Sequence, residues 1–144
     1  MLIGEFRHSL DEKNRLAVPA KFRKELGKQV VITRGFDGCL FIYTEERWNK
    51  FAEGLANLPL GVRDNRNLNR FMLAGGSLVE IDAAGRILVP EYLRQFAELG
   101  EFVVIAGMHS RIEVWSIERW QMTTGEAQKH ADELAEKLGD IGMR

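Results

Sequence analysis

The sequence predicts an α+β fold, rich in β-structure and assembled from two copies of one unit. Three observations lead there: a tandem self-similarity, short runs of alternating apolar and polar residues that read as strands, and a helix start signal closing each copy. Asp11-Glu12-Lys13-Asn14-Arg15-Leu16-Ala17-Val18-Pro19 returns as Asp82-Ala83-Ala84-Gly85-Arg86-Ile87-Leu88-Val89-Pro90. Leu26-Gly27 returns as Leu99-Gly100, Val30-Val31-Ile32 as Val103-Val104-Ile105, and Glu46-Arg47-Trp48 as Glu118-Arg119-Trp120. The offset moves from 71 to 73 to 72 residues, so the copies differ only by small insertions in loops. Matching blocks in one order mark a tandem duplication. One copy is too short to bury a good core alone, so the two are expected to fold together.

Each element has a local reason. Phe6, His8 and Leu10 alternate with Arg7 and Ser9, the pattern of a half-buried strand. Residues 11–15 are polar and suit a reversing turn. Leu16-Ala17-Val18 resumes the strand, so a hairpin is expected. Pro19 suits the first position of a helix, where its missing N–H would have no partner anyway. Phe22 and Leu26 share one face of that helix, and Gly27 fits a left-handed position at its end. Gln29–Arg34 and Cys39–Tyr43 follow as strands around a Gly35-Phe36-Asp37-Gly38 loop. The second copy repeats this grammar: strands at Leu78–Ile81 and Arg86–Val89, a helix opened by Pro90 and closed by Gly100, then strands at Phe102–Ala106 and Arg111–Trp115.

Thr44 can cap a helix whose Trp48, Phe51, Ala52 and Leu55 share a face, with Pro59 beyond its end. Asn65–Leu73 reads as a further helix, with Leu68, Phe71 and Met72 on one side and Arg63, Arg66 and Arg70 elsewhere. Ser116 can cap a last helix in which Trp120, Thr124, Ala127, Ala131, Leu134 and Leu138 form a seam for another helix, within the subunit or from a neighbour. Gly125 is the expected place for a kink in it. The expected organisation is a first repeat over residues 5–48, a helical connector over 49–75, a second repeat over 76–119 and a C-terminal helix over 116–144.

The 144 residues carry 45% hydrophobic and 28% charged side chains, ordinary values for a globular domain. No apolar run reaches the roughly 18 residues of a membrane span, and Met1-Leu2-Ile3-Gly4-Glu5 does not read as a signal peptide. The single cysteine, Cys39, excludes an intramolecular disulfide, suits a reducing cytoplasm, and reads as a buried strand thiol. Net charge is −1, yet its distribution is uneven. Residues 1–28 hold seven basic and four acidic groups, a balance of +3, whereas residues 76–120 hold four and seven, a balance of −3. That contrast suggests that the first half faces a polyanion.

Asp-x-x-x-Arg is the one constellation present in both copies. Across a reversing turn the two side chains can meet, which makes Asp11 and Asp82 turn-structuring residues. Arg15 stands with Lys13 and Asn14 at a tip near Arg7, and an arginine fork matches phosphate oxygens or the guanine O6/N7 edge. Arg86 stands beside Ala83, Ala84 and Gly85, a neutral tip, and reads as structural or as an auxiliary contact. Enzyme signals are missing: His8, His109 and His130 lack metal-ligand spacing, Gly35-Phe36-Asp37-Gly38 is no phosphate loop, and no serine lies in a nucleophile motif. No catalytic activity, cofactor, metal or small-molecule substrate is expected.

The doubled Asp11…Arg15 and Asp82…Arg86 motifs, the Leu16-Ala17-Val18-Pro19 and Ile87-Leu88-Val89-Pro90 runs after them, and the paired Glu-Arg-Trp ends resemble the MraZ family of bacterial transcriptional regulators. The resemblance implies two swapped-hairpin, AbrB-like β-barrel half-units of the SpoVT-AbrB type, completed within one chain and flanked by helices. It also implies a ring-shaped homo-oligomer, cytoplasmic and nucleoid-associated. Such rings bind short G-rich repeats in double-stranded DNA upstream of the division and cell-wall gene cluster. Carried onto this chain, the motif residues are Asp11, Arg15, Asp82 and Arg86. Adding the tip residues, the expected DNA-binding set is Arg7, Lys13, Asn14, Arg15 and Arg86. The competing expectation is a structural ring or interaction adaptor without direct DNA binding.

Overall fold

The computed structural model describes residues 1–143. Each repeat runs strand–strand–helix–strand–strand and then helix. The first contains β1 (Ile3–Ser9), β2 (Arg15–Ala17), α1 (Ala20–Leu26), β3 (Gln29–Arg34), β4 (Leu40–Thr44) and α2 (Glu45–Ala56). After α3 (Arg63–Met72), the second contains β5 (Ser77–Glu80), β6 (Arg86–Leu88), α4 (Glu91–Phe96), β7 (Phe102–Met108), β8 (Ile112–Ser116) and α5 (Ile117–Lys129), followed by α6 (Ala131–Asp140).

The repeats are interleaved. Six strands form one antiparallel sheet in the order β1-β7-β8-β4-β3-β5, so each repeat lends its first strand to an edge of the other's β-pair. β2 and β6 form a separate two-stranded ribbon, with Leu16 opposite Ile87. The chain does reverse at residues 11–15, but the expected hairpin ladder between β1 and β2 is reduced to a single bridge, Leu10 with Leu16. The backbone groups of β2 are taken instead by β6, extended by Val18 N–H to the Gly85 carbonyl (2.8 Å) and Val89 N–H to that of Asn14 (3.1 Å). No closed barrel forms among the described residues. β2 and β6 are three residues each and run into Pro19 and Pro90, which have no N–H to extend a ladder.

Strand alternation gives the sheet two apolar faces. Val30, Ile32, Leu40, Ile42, Val103, Ile105, Ile112 and Val114 pack with Leu16, Val18, Phe22, Ile87, Val89 and Leu93 from the ribbon and from α1 and α4. Phe41, Tyr43, Val104 and Trp115 on the opposite face pack with Leu55 and Met72, under Trp48, Phe51, Phe71 and Trp120 of α2, α3 and α5. Both cores take residues from both repeats, so neither repeat owns one. Cys39 is fully buried, and its Sγ lies 3.2 Å from the Phe36 carbonyl; burial pushes its thiol pKa up, away from a nucleophile.

Thr44 and Ser116 cap α2 and α5, their hydroxyls accepting from the N–H groups of Arg47 and Arg119, each at 3.2 Å. Pro19 and Pro90 sit one position earlier than expected. With ψ of 134° and 146° they are extended cap residues, and the helices begin after them. Gly27 takes a positive φ of 74° after α1, but with ψ of −151° it is not left-handed helical; in the second copy the positive φ (52°) falls on Glu98, not Gly100, at the same distance from the helix start. The C-terminal helix breaks at His130 rather than at Gly125, giving two helices with no buried residue in either. No helix among the described residues is long and apolar enough to cross a membrane.

Candidate nucleic-acid interface

The two Asp-x-x-x-Arg segments fold into the same turn. In the first, Asp11 Oδ1 accepts from the N–H groups of Lys13 and Arg15, both at 2.9 Å, and Oδ2 accepts from Arg15 Nε at 2.8 Å. The backbone closes the loop: Asp11 N–H donates to the Arg15 carbonyl (3.0 Å) and Asn14 N–H to the Asp11 carbonyl (2.9 Å). In the second, Asp82 Oδ1 accepts from Ala84 and Arg86 N–H at 2.9 Å, and Oδ2 accepts from Arg86 Nε at 3.0 Å. Each turn needs one left-handed residue, Asn14 (φ 60°) in the first and Gly85 (φ 79°) in the second. Asparagine and glycine tolerate that region best. The backbone N–H bond from the arginine is the main reason each aspartate's pKa is lowered, with the guanidinium adding to it.

The ribbon brings the turns together. Arg15 pairs with Leu88 and Ala17 with Arg86, while Leu16 and Ile87 point into the core. Alternation therefore puts Arg15 and Arg86 on one outward face, with exposed Leu88 beside them. Each guanidinium is anchored through Nε, and Arg86 Nη1 also lies 3.9 Å from Asp11 Oδ2. A planar fork held this way keeps terminal N–H groups for an outside acceptor.

Lys13 is exposed at the first tip and Asn14 is half-buried at its corner. Arg7 is not brought to the turns. It is exposed on β1 opposite Val104, in a shallow depression with Phe102 and Ile117. Strand alternation sets it on the other side of the sheet from Phe6, which packs towards α1 against Phe22.

Two side chains at the site carry no mark in a single repeat. Arg23 Nε donates to the Val18 carbonyl and Arg94 Nε to the Val89 carbonyl, both at 3.0 Å. These carbonyls end the ribbon strands, so each arginine stands against a turn. The sequence does hold a signal for them: Arg23 and Arg94 recur at the same 71-residue offset as the motif itself. Among the described residues no group of three His, Cys, Asp or Glu is placed to hold a metal.

Fold and site together define a class: an interleaved two-repeat domain carrying twin Asp-x-x-x-Arg turns on a cross-repeat ribbon. The family described as "MraZ protein, putative antitoxin-like" matches residues 1–71 and again residues 72–140. The chain belongs to the MraZ family. It is 45% identical over 143 residues to "Transcriptional regulator MraZ" of Ligilactobacillus salivarius, covering 99% of this chain and 100% of that protein. To the protein of the same name from Natranaerobius thermophilus it is 46% identical with the same coverage. To that of Roseiflexus castenholzii it is 43% identical over 141 residues, covering 98% of this chain and 99% of that protein.

Proposed function

We propose that this chain is a transcriptional regulator that binds double-stranded DNA through the outward face of the β2–β6 ribbon. Relatives matched along almost their whole length carry the name transcriptional regulator. The observation that carries the DNA-binding reading is the placement of Arg15 and Arg86 side by side, each held by Nε with terminal nitrogens left to donate. Phosphate contacts supply affinity, and Arg15 with Asn14 and Lys13 reads base edges in the major groove. Asp11 and Asp82 act on the turns, not on DNA.

The finer reading follows the family. The interleaved strands support the swapped-hairpin scheme of the SpoVT-AbrB type, with repeats over 5–48 and 76–119. Several copies join in a ring, so that ribbons from neighbouring subunits meet successive G-rich repeats upstream of the division and cell-wall cluster, and the protein is nucleoid-associated. Arg7, away from the turns, is assigned a phosphate contact at the margin.

The test is a mobility shift with the DNA upstream of the chain's own gene, titrated with salt and with a scrambled-repeat competitor. The expected result is a shift that the scrambled duplex does not compete away and that weakens linearly in log–log form as counterions are released. Absence of any salt-linked shift would favour an adaptor ring that does not touch DNA.

A further inference from the structure

We infer that the second turn, with no charge in its x positions, is the stronger phosphate-holding half of the interface, because the fold lends it the exposed cation Arg23 from the first repeat, lying against Gly85. The inference rests on the DNA-binding reading above.

The first link is Gly85. A Cβ at this position would sink into the Arg23 guanidinium, which lies flat against the glycine backbone while its Nε holds the Val18 carbonyl. Gly85 is also the left-handed residue of its turn. A left-handed corner tolerates asparagine, as Asn14 shows in the first turn. Glycine at the second corner leaves room for Arg23 to lie close; a Cβ there would displace the guanidinium, the far end of a flexible side chain, rather than the turn. In the first turn Asn14 holds the equivalent corner, and Arg94 borders a depression shared with it.

The second link is the exchange of charge between repeats. Leu10 N–H donates to the Glu101 carbonyl, and at the matching place Ile81 N–H donates to the Lys28 carbonyl. Interleaving therefore sets Glu101, beyond α4, beside the first turn and Lys28, beyond the basic α1, beside the second. The depression next to the first turn holds Arg94 with Asp11, Glu12 and Glu101; that next to the second holds Lys28 with Glu45, Glu80 and Asp82, and Arg23 stands outside it. Arg23 and Lys28 of the first repeat thus stand beside the turn that carries no positive charge in its x positions, while Lys13 and Arg15 stay at the first turn. The second turn lacks a tip side chain able to read a base, since its x residues are Ala83, Ala84 and Gly85. Its Arg23 and Arg86 hold the backbone without sequence preference, and reading is left to Asn14 and Lys13 of the first turn.

The experiment compares the intact chain with Arg23→Ala, Arg94→Ala and Gly85→Ala on the upstream DNA and on a scrambled duplex, over a salt series. Removing Arg23 is expected to lower affinity roughly tenfold on both duplexes and to reduce the log–log salt slope by about one, leaving their ratio unchanged. Gly85→Ala is expected to reproduce that loss although it removes no charge, whereas Arg94→Ala loses clearly less. Thermal melts identify a variant that fails to fold, and Arg23→Lys, which keeps the charge but cannot lie flat, then serves in place of Gly85→Ala. Equal losses for Arg23→Ala and Arg94→Ala, or a changed duplex ratio for Arg23→Ala, would overturn the inference. If the unaltered chain binds neither duplex, the DNA-binding reading itself fails. If Arg15→Ala loses binding while Arg23→Ala and Gly85→Ala do not, only this inference fails.

Discussion

Arg86 reaches across the ribbon to the other repeat's turn: its Nη1 lies 3.9 Å from Asp11 Oδ2, the oxygen that Arg15 Nε already holds at 2.8 Å. The two motifs, 71 residues apart in sequence, thus form one polar cluster on one face of the β2–β6 ribbon. A change in either turn is felt at the other, and the cluster belongs to neither repeat alone.

Arg15→Ala is expected to abolish specific DNA binding while leaving the fold intact. One bidentate base contact is worth about 1–3 kcal/mol, and each subunit of an assembly would lose one. Arg15 projects from the outward face of the ribbon, so its loss leaves Leu16 and the core untouched. Circular dichroism with a mobility shift checks this; a folded variant with normal affinity would sink the assignment.

Acid should loosen the turns before it unfolds the core. Asp11 and Asp82 have lowered pKa values, chiefly because the N–H of Arg15 or Arg86 donates to the ionised carboxylate. A depressed folded pKa contributes stability that is fully present above the ordinary carboxylate value. That contribution is lost as pH falls through the lowered one. The amide resonances of Lys13, Arg15, Ala84 and Arg86 are therefore expected to hold steady from neutral pH through the normal aspartate range and to shift together only below it. Movement at the ordinary value would mean that the carboxylates are not held as described.

Arg119→Ala is expected to destabilise the fold by about 1.5–3 kcal/mol, the range for hydrogen bonds made by a charged group. Its Nη1 donates to the carbonyls of Gly38 (2.8 Å) and Phe96 (3.2 Å), and its Nη2 lies 3.1 Å from Glu98, so one side chain ties α5 to both repeats. Its repeat twin Arg47 makes no side-chain hydrogen bond or ion pair among the described residues. Arg47→Ala should stay within about 0.5 kcal/mol. Thermal or urea unfolding of the pair decides it, and equal effects would refute the asymmetry.

Thr44→Ala and Ser116→Ala should each cost about 1 kcal/mol by removing a helix cap. Each hydroxyl accepts one N–H, from Arg47 and Arg119 respectively. Denaturant midpoints at unchanged slope would check it.

Removing residues 131–144 should barely change the stability of the isolated subunit, because α6 has no buried residue. Leu134 and Leu138 on it and Ile141 just beyond it are 48%, 45% and 69% exposed. If that stripe joins subunits, the truncated chain loses mass in solution, and its affinity for multi-repeat DNA falls by up to roughly 10²–10⁴ while single-repeat affinity holds. Unchanged mass would place assembly on another surface.

The sequence by itself determined the duplication, the element order up to the C-terminal helix, both hydroxyl caps and the twin turns. Each of these is set by neighbours along the chain: Asp11 needs only the N–H groups of Lys13 and Arg15, and Thr44 needs only that of Arg47. Tertiary structure decided which strand pairs with which. β2 looks like the return arm of a hairpin, but its backbone is satisfied by β6, and only burying Leu16 against Ile87 in a shared core makes that choice. It also decided where charge ends up. Arg7 lies near the motif in sequence yet faces the other side of the sheet, while Arg23 lies outside the motif and rests on the second turn. A strand's period of two and an exchange of partners between repeats act through space, and a count of charges along the chain does not contain them.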